Sequence, residues 1–179
     1  MFAIIALFDQ KTEAQISKSW TKLKDENLDD SMIRIQGNRP HISLALFQGV
    51  ERTLFLDAFR KFIGTVEPFS IQFDSVGVFP TTNTVFLTPL PSKYFLHLHE
   101  NLYQALQGFL DKADQHYKKE QWMPHCSLAI SVPDQKIMDV FANTIRGFQP
   151  IFGRVERIAL IEVFFNEQGI NQVEEIKMV

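Results

Sequence analysis

The feature that most constrains the fold of this chain is a near-identical repetition of seven residues. Residues 40–46 read PHISLAL and residues 124–130 read PHCSLAI. The copies share Pro, His, Ser, Leu and Ala in register, and they differ only where one small or apolar residue replaces another. A matched pair of this length lies well outside the false-positive level of a single short motif. The repetition therefore indicates an internally duplicated chain.

Each copy alternates polar and apolar side chains with the period of a β-strand. Residues two apart on an extended strand share a face, so His41 and Ser43 are predicted to lie together. His125 and Ser127 repeat the arrangement, and the residues between them face the other layer. The same alternation places Phe47 on the face of His41, which predicts that this ring lines a cleft.

Elements of the same type recur in the same order around the two motifs. Each half is predicted to run strand, helix, His strand, helix, strand. The first half comprises a strand at 2–8, a helix opened by Thr12, and segments 41–48, 51–63 and 69–79. The second half comprises a strand at 84–90 broken by Pro91, a helix capped by Ser92, a strand at 125–132, a helix opened by Asp134, and 151–165. A last strand is predicted near 172–178.

Corresponding elements are separated by a nearly constant number of residues. The interval is 84 residues between His41 and His125 and 82 residues between Pro68 and Pro150. This predicts a duplication of about residues 2–79 and 84–165 within one domain of residues 1–179. The fold class is α+β, with two pseudo-symmetric lobes, each an antiparallel-rich sheet with helices on its outer side and a central cleft between the sheets. By analogy with symmetric oligomers, an approximate two-fold axis would bring both motifs into that cleft.

Composition narrows the possible ligands and environment. A net charge of −3 argues against binding of long DNA or RNA, which depends on a surface rich in Lys and Arg. A single cysteine, Cys126, provides neither a disulfide framework nor a Cys-based zinc site. The apolar run 2–8 is too short for a signal peptide or a membrane span. We therefore expect a cytoplasmic protein without membrane association, and a monomer.

The repeated residue types suit acid–base chemistry better than metal binding. Zinc sites normally have three or four protein ligands, and no set of residues in this sequence has the spacing that such a site requires. An imidazole can remove or return a proton near neutral pH because its pKa is ordinarily about 6.5. In-line displacement at phosphorus needs one group to activate the entering oxygen and another to protonate the leaving oxygen, while hydroxyls hold the non-bridging oxygens. We predict no metal and no cofactor.

The two His-x-Ser motifs, each followed by Leu, resemble those of the two-histidine (2H) phosphoesterase superfamily. This superfamily includes 2'-5' RNA ligase-like proteins and cyclic phosphodiesterases. The resemblance implies a bilobal fold and metal-independent hydrolysis of 2',3'-cyclic phosphates or related RNA-end phosphodiesters, in some members with reversible 2'-5' ligation. Carried over by motif position, His41 and His125 would be catalytic, and Ser43 and Ser127 would bind phosphate. It also implies His125 as the base and His41 as the acid.

One position departs from the pattern of the superfamily. Many ligase-like relatives carry a basic residue shortly after the second motif, where this chain has Ile130 and Ser131. The substrate class is therefore less defined by the motifs than the reaction class.

Other residues are weaker candidates for contacts with a substrate or a metal ion. Arg39 could neutralise a phosphate at the cleft rim, although an exposed arginine is usually just solvated. Trp122 could stack on a base, although an aromatic beside a strand is more often part of the core. His97 and His99 lie about 200° apart on a helix, so they cannot chelate one ion and are expected at the helix surface or edge.

Two functions remain open at the level of sequence. The first is an enzyme acting on a nucleotide or a short RNA terminus. The second is a non-catalytic module that holds a nucleotide such as AMP in the same cleft. Both predict nucleotide binding, and only the enzyme requires the His pair to exchange protons. A role as an RNA-processing accessory with a partner protein is neither supported nor opposed by any motif.

Overall fold

The computed structural model describes residues 1–90 and 92–177. Within them the strands are β1 Phe2–Phe8, β2 His41–Phe47, β3 Phe69–Phe79, β4 Thr84–Pro89, β5 Cys126–Ala129, β6 Ile151–Asn166 and β7 Gly169–Glu175. The helices are α1 Gln10–Asp25, α2 Ser31–Arg34, α3 Arg52–Ile63, α4 Lys93–Ala105 and α5 Ile137–Ile145, with 3-10 turns at Gln107–Lys112 and Gln115–Tyr117. The predicted strand break at Pro91 and the predicted end of the last strand at Met178 lie outside the described residues.

All the described strands pair antiparallel in one seven-stranded sheet of order β2-β1-β6-β3-β4-β5, with β7 added to β6. The long strand β6 joins the two halves of the chain. Its first residues pair with β3, and its later residues pair with β1 on one side and β7 on the other. The end strands β2 and β5 nevertheless contact each other, so the sheet curves round until its ends meet. The α+β class with antiparallel strands is confirmed, and the strands of both predicted lobes form a single sheet.

The longer helices pack on the outer face of this sheet because each of them carries an apolar stripe at helical spacing. Helix α3 buries Phe55, Phe59 and Phe62, and α4 buries Phe95, Leu98 and Leu102. Strand β1 is buried on both faces. Its residues Ile4, Ala6 and Phe8 join the main core, whereas Ala3, Ile5 and Leu7 form a second aliphatic cluster on the inner face. The inner face of the first half of the sheet is therefore apolar.

The first helix of each half supports the His strand of the other half. The indole N–H of Trp20 on α1 donates to the carbonyl of Ser127 on β5 at 3.1 Å. On α4, His99 Nε2 lies 3.0 Å from the carbonyl of Leu44 on β2. These crossed contacts fix the two His strands relative to each other.

Several predicted boundaries were wrong. Helix α1 is capped by Asp9, whose carboxylate accepts from the backbone N–H of Thr12 at 2.9 Å, so Thr12 is not the cap. Helix α5 begins at Ile137 rather than Asp134. The second His strand ends at Ala129, and the short helix α2 falls in a segment predicted only as polar.

Candidate active site

A cavity of about 510 Å³ is lined by side chains from both β2 and β5. His41 and Ser43 line it from β2. His125, which directly precedes β5, and Ser127 line it from the other end of the sheet. The curvature of the sheet thus brings the four motif residues, 84 positions apart in sequence, to one space.

Each His strand contains a β-bulge immediately after its serine. Leu44 is the extra residue in β2, and Leu128 is the extra residue in β5. An extra residue reverses the inside–outside alternation beyond it. Leu46 and Ile130 therefore line the cavity, although simple alternation would turn them away from it.

The bulge in β2 also decides the position of Phe47. This ring is buried, with 1% of its surface exposed, and it packs on Phe55 at a centroid distance of 4.9 Å. The prediction that Phe47 lines the cleft was wrong. The alternation from which it was drawn changes phase at Leu44.

Both motif histidines are held by the same backbone contact. His41 Nδ1 lies 2.6 Å from the carbonyl oxygen of Arg39, and His125 Nδ1 lies 2.8 Å from that of Met123. A carbonyl oxygen can only accept, so Nδ1 of each ring carries a proton and donates it. The other nitrogen, Nε2, is then the atom that gains or loses a proton in each ring.

The surroundings favour the neutral form of both rings. Burial lowers the pKa of His41, and the charge of His125 lowers it further, against an opposing hydrogen bond to the Arg39 carbonyl. Burial likewise lowers the pKa of His125. Part of that burial comes from Phe79, whose ring meets His125 edge-on at 4.9 Å, and from Phe86 at 5.3 Å.

A second layer of aromatic rings holds the backbone behind Ser43. The indole N–H of Trp122 donates to the Ser43 carbonyl at 2.9 Å. His99 stacks on Trp122 with a centroid distance of 3.8 Å and an interplanar angle of 1°. His99 Nε2 lies 3.0 Å from the Leu44 carbonyl and 2.9 Å from the Tyr117 carbonyl, so this nitrogen carries a proton shared between two acceptors.

The expectation that His99 lies at the helix surface was wrong. Only 2% of its surface is exposed, because α4 presents this face to β2. Burial lowers the pKa of His99 to about 4. The ring is thus neutral at physiological pH and ties β2 to the segment that carries Tyr117 and Trp122.

The other predicted contacts divide between cavity and surface. Trp122 lines the cavity, with one face of its indole covered by His99. Arg39 is not among the described residues that line the cavity. Its guanidinium is paired with Glu13, with Nη2 2.5 Å from the carboxylate. This placement gives no support to the predicted phosphate contact of Arg39.

Several cavity residues were not found from the sequence. Tyr117 is one, and it lines the same cavity as Ser43. Burial raises the pKa of Tyr117, so it remains a donor. Thr82 comes from the turn before β4, Thr84 is the first residue of β4, and Asp114 precedes the 3-10 turn of Tyr117. The only sequence signal was the polar TTNT segment at 81–84.

Within residues 1–90 and 92–177, no group of three or more His, Cys, Asp or Glu side chains is arranged to hold a metal ion. In the same ranges, none of the helices has both the length and the apolar character needed to cross a bilayer.

Comparisons of the sequence and of the fold with known proteins both point to one family of proteins. The sequence profile of the 2'-5' RNA ligase superfamily matches residues 12–163. No curated protein matches the chain. TT0787 of Thermus thermophilus is 16% identical, with a TM-score of 0.66 over 98% of this chain and 94% of that one. LigT of Escherichia coli in its apo form is 15% identical, with a TM-score of 0.67 and the same coverage. At these identities the likeness to solved structures shows the fold.

Proposed function

The chain belongs to the 2'-5' RNA ligase superfamily of two-histidine phosphoesterases, and from this premise we propose that it is a metal-independent phosphodiesterase. Its substrates would be 2',3'-cyclic phosphates or related phosphodiesters of nucleotides and RNA ends. The observation that carries the proposal is the pair of histidines on one cavity, each with Nδ1 held by a backbone carbonyl and Nε2 left to exchange protons.

The two rings would act in opposite protonation states. The neutral ring takes a proton from water at Nε2 as the water oxygen forms a bond to phosphorus. The charged ring gives its Nε2 proton to the leaving ribose oxygen as the P–O bond breaks. The product is a phosphomonoester, and a proton exchange with solvent restores the starting state. The resemblance to the superfamily assigns the base to His125 and the acid to His41.

The serines would stabilise the charge that develops on phosphorus-bound oxygens. Ser43 and Ser127 face the same cavity as the two rings, and the indole N–H of Trp122 holds the backbone carbonyl of Ser43. Fixed hydroxyl donors in a partly desolvated cavity stabilise a transition state more than the same groups in water.

Loss of either hydroxyl should slow the reaction. Ser43→Ala and Ser127→Ala are each expected to lower kcat/KM by about 10²-fold, the effect of removing one donor to a developing oxyanion. Steady-state rates with a 2',3'-cyclic nucleotide measure the loss. Ser127→Thr keeps a hydroxyl and serves as the matched control. Wild-type rates in both alanine variants would remove the serines from the mechanism.

The reaction should have its optimum on the acid side of neutrality. Burial lowers both histidine pKa values from 6.5, so the state with one charged and one neutral ring is most populated below that pH in the free enzyme. We expect a bell-shaped profile of kcat/KM with its maximum below pH 6.5. A bound phosphate favours the charged rings, so the profile of kcat should lie at higher pH. A flat profile from pH 5 to 8 would contradict two-histidine catalysis.

A substrate panel tests the proposal against its alternative. The purified protein is incubated with EDTA and 2',3'-cyclic nucleotides, and separately with 2'-5'-linked RNAs, which also report ligation in reverse. Hydrolysis that survives EDTA supports the proposal. Nucleotide binding without turnover would favour the AMP-like binding module, which is suggested by the LigT structures described as complexes with 3'-AMP, ATP and NADP+.

A further inference from the structure

The charge of the cavity wall is unusual for a site that receives phosphate. Among the described residues, none of the side chains that line the cavity is Lys or Arg. Asp114 brings a carboxylate to the wall, and this carboxylate lies 2.9 Å from Nδ1 of His116. Met1 also lines the cavity, and its amino group donates to the carbonyl of Val163 at 3.4 Å. His116 is thus paired with Asp114 and the Met1 amino group with a backbone carbonyl, which leaves the imidazoles of His41 and His125 as the groups best placed to balance an anion.

The rest of the wall is largely aliphatic. The inner face of the first half of the sheet contributes Ala3, Leu46, Ile161, Val163 and Val173. Ile130 adds to this surface from beyond the second bulge. Neutral hydrogen-bonding groups are supplied by Thr82, Thr84 and Gln121. Such a wall suits the flat face of a base and the hydroxyls of a ribose.

We propose that the preferred substrate is a nucleoside 2',3'-cyclic phosphate with a free 5'-hydroxyl, whose only phosphate is the one that reacts. This rests on the proposed function and narrows it. A cyclic phosphodiester carries one negative charge, which one imidazolium balances. A second phosphate would enter a partly desolvated cavity without a lysine or arginine among its described lining residues to pair with it, and would face Asp114. The same reasoning disfavours an RNA end, because its terminal nucleotide carries a phosphodiester on the 5' oxygen.

The direct test compares two substrates that differ by one phosphate. These are adenosine 2',3'-cyclic phosphate with a 5'-hydroxyl and the same nucleotide with a 5'-phosphate. We expect kcat/KM to be at least about 10-fold higher for the 5'-hydroxyl form, the size of effect that one unpaired charge produces. An equal or higher value for the 5'-phosphorylated form would overturn the inference.

Two substitutions change the charge of the wall. Ile130→Arg adds a cation at the cavity and should reduce the preference about 10-fold, with the gain diminishing at high salt. Ile130→Met, of similar length and without charge, should leave the preference as in the wild type. Asp114→Asn removes the negative charge while keeping an acceptor for the backbone N–H of His116, and it should also reduce the preference. If both charge variants keep the wild-type preference, wall charge does not select the substrate.

A binding measurement separates this inference from the proposed function. Calorimetry with adenosine 2'-phosphate and adenosine 2',5'-bisphosphate gives dissociation constants that need no turnover. If neither cyclic substrate is hydrolysed, the proposed function fails, but the ratio of these constants still decides the inference. Binding of the bisphosphate at least about 10-fold weaker supports it, and equal or tighter binding overturns it.

Discussion

Replacing His125 by alanine is expected to lower kcat by a factor of about 10²–10⁴, and His41→Ala by a similar factor. The reason is that each ring supplies or accepts one of the two protons that move in the displacement. Steady-state rates with a 2',3'-cyclic nucleotide at the pH optimum measure the loss. The double variant should be little slower than the slower single variant, because two groups that act as a unit are not additive.

The control for this prediction is a histidine outside the cavity. His97 is exposed on α4, and His97→Ala should keep the wild-type rate. His41 and His125 are both partly exposed, so their alanine variants should unfold within a few degrees of the wild type. An alanine variant at either position that is folded and retains more than about a tenth of the rate would place the proton transfer on another group.

The largest expected effect on stability concerns His99. Its pKa is about 4 in the folded protein and ordinarily 6.5, so below pH 6.5 the unfolded chain binds a proton that the folded protein rejects. The contribution of His99 to stability is therefore complete above pH 6.5 and is lost as the pH falls towards about 4. The loss amounts to about 3 kcal/mol over that window. Urea unfolding from pH 8 down to pH 4 measures it.

The variant His99→Phe isolates this contribution. It keeps an aromatic ring against Trp122 but leaves the carbonyls of Leu44 and Tyr117 without their donor, which destabilises the protein by about 1–3 kcal/mol at neutral pH. The free energies of unfolding of wild type and variant should then converge as the pH falls. His41 and His125 contribute equally to the pH dependence of the free energy of unfolding in both proteins, so their contributions cancel in the difference. A difference that does not vary with pH would contradict the neutral, buried state of His99, and the exposed His97→Phe should show no such trend.

Much of the fold could be predicted because its signals are local. The bounds of β1 and β3 follow from apolar runs between punctuating residues, and Ser92 caps α4 as its position before an amphipathic stripe predicts. Membership of the superfamily was predictable for the same reason, since the repeated motif is continuous in sequence. Thr12 shows the limit of such signals. Asp9 and Thr12 are both acceptable caps, and in the folded protein Asp9 caps the helix while Thr12 is buried against Gly153 on β6.

The site could be predicted only in part, and Phe47 and Arg39 show why. A strand pattern fixes the face of a side chain only while the pairing keeps its register, and the bulge at Leu44 depends on pairing with β1. Arg39 directly precedes the first motif, but its guanidinium pairs with Glu13 on α1 instead of lining the cavity. Neither partner can be identified from the neighbouring sequence.

The sequence by itself determined that a heptapeptide recurs 84 residues later, that the chain is α+β, and that each copy carries an imidazole beside a hydroxyl. These properties follow from short-range periodicity and from a repeated heptapeptide, and both can be recognised without knowing which residues pack against them. Only the tertiary structure decided that the ends of the sheet meet, that His99 is buried behind β2, and that the wall of the shared cavity lacks lysine and arginine among its described residues. The physical reason is that a cavity wall is assembled from distant segments, and its charge is set by which of them the curved sheet brings together.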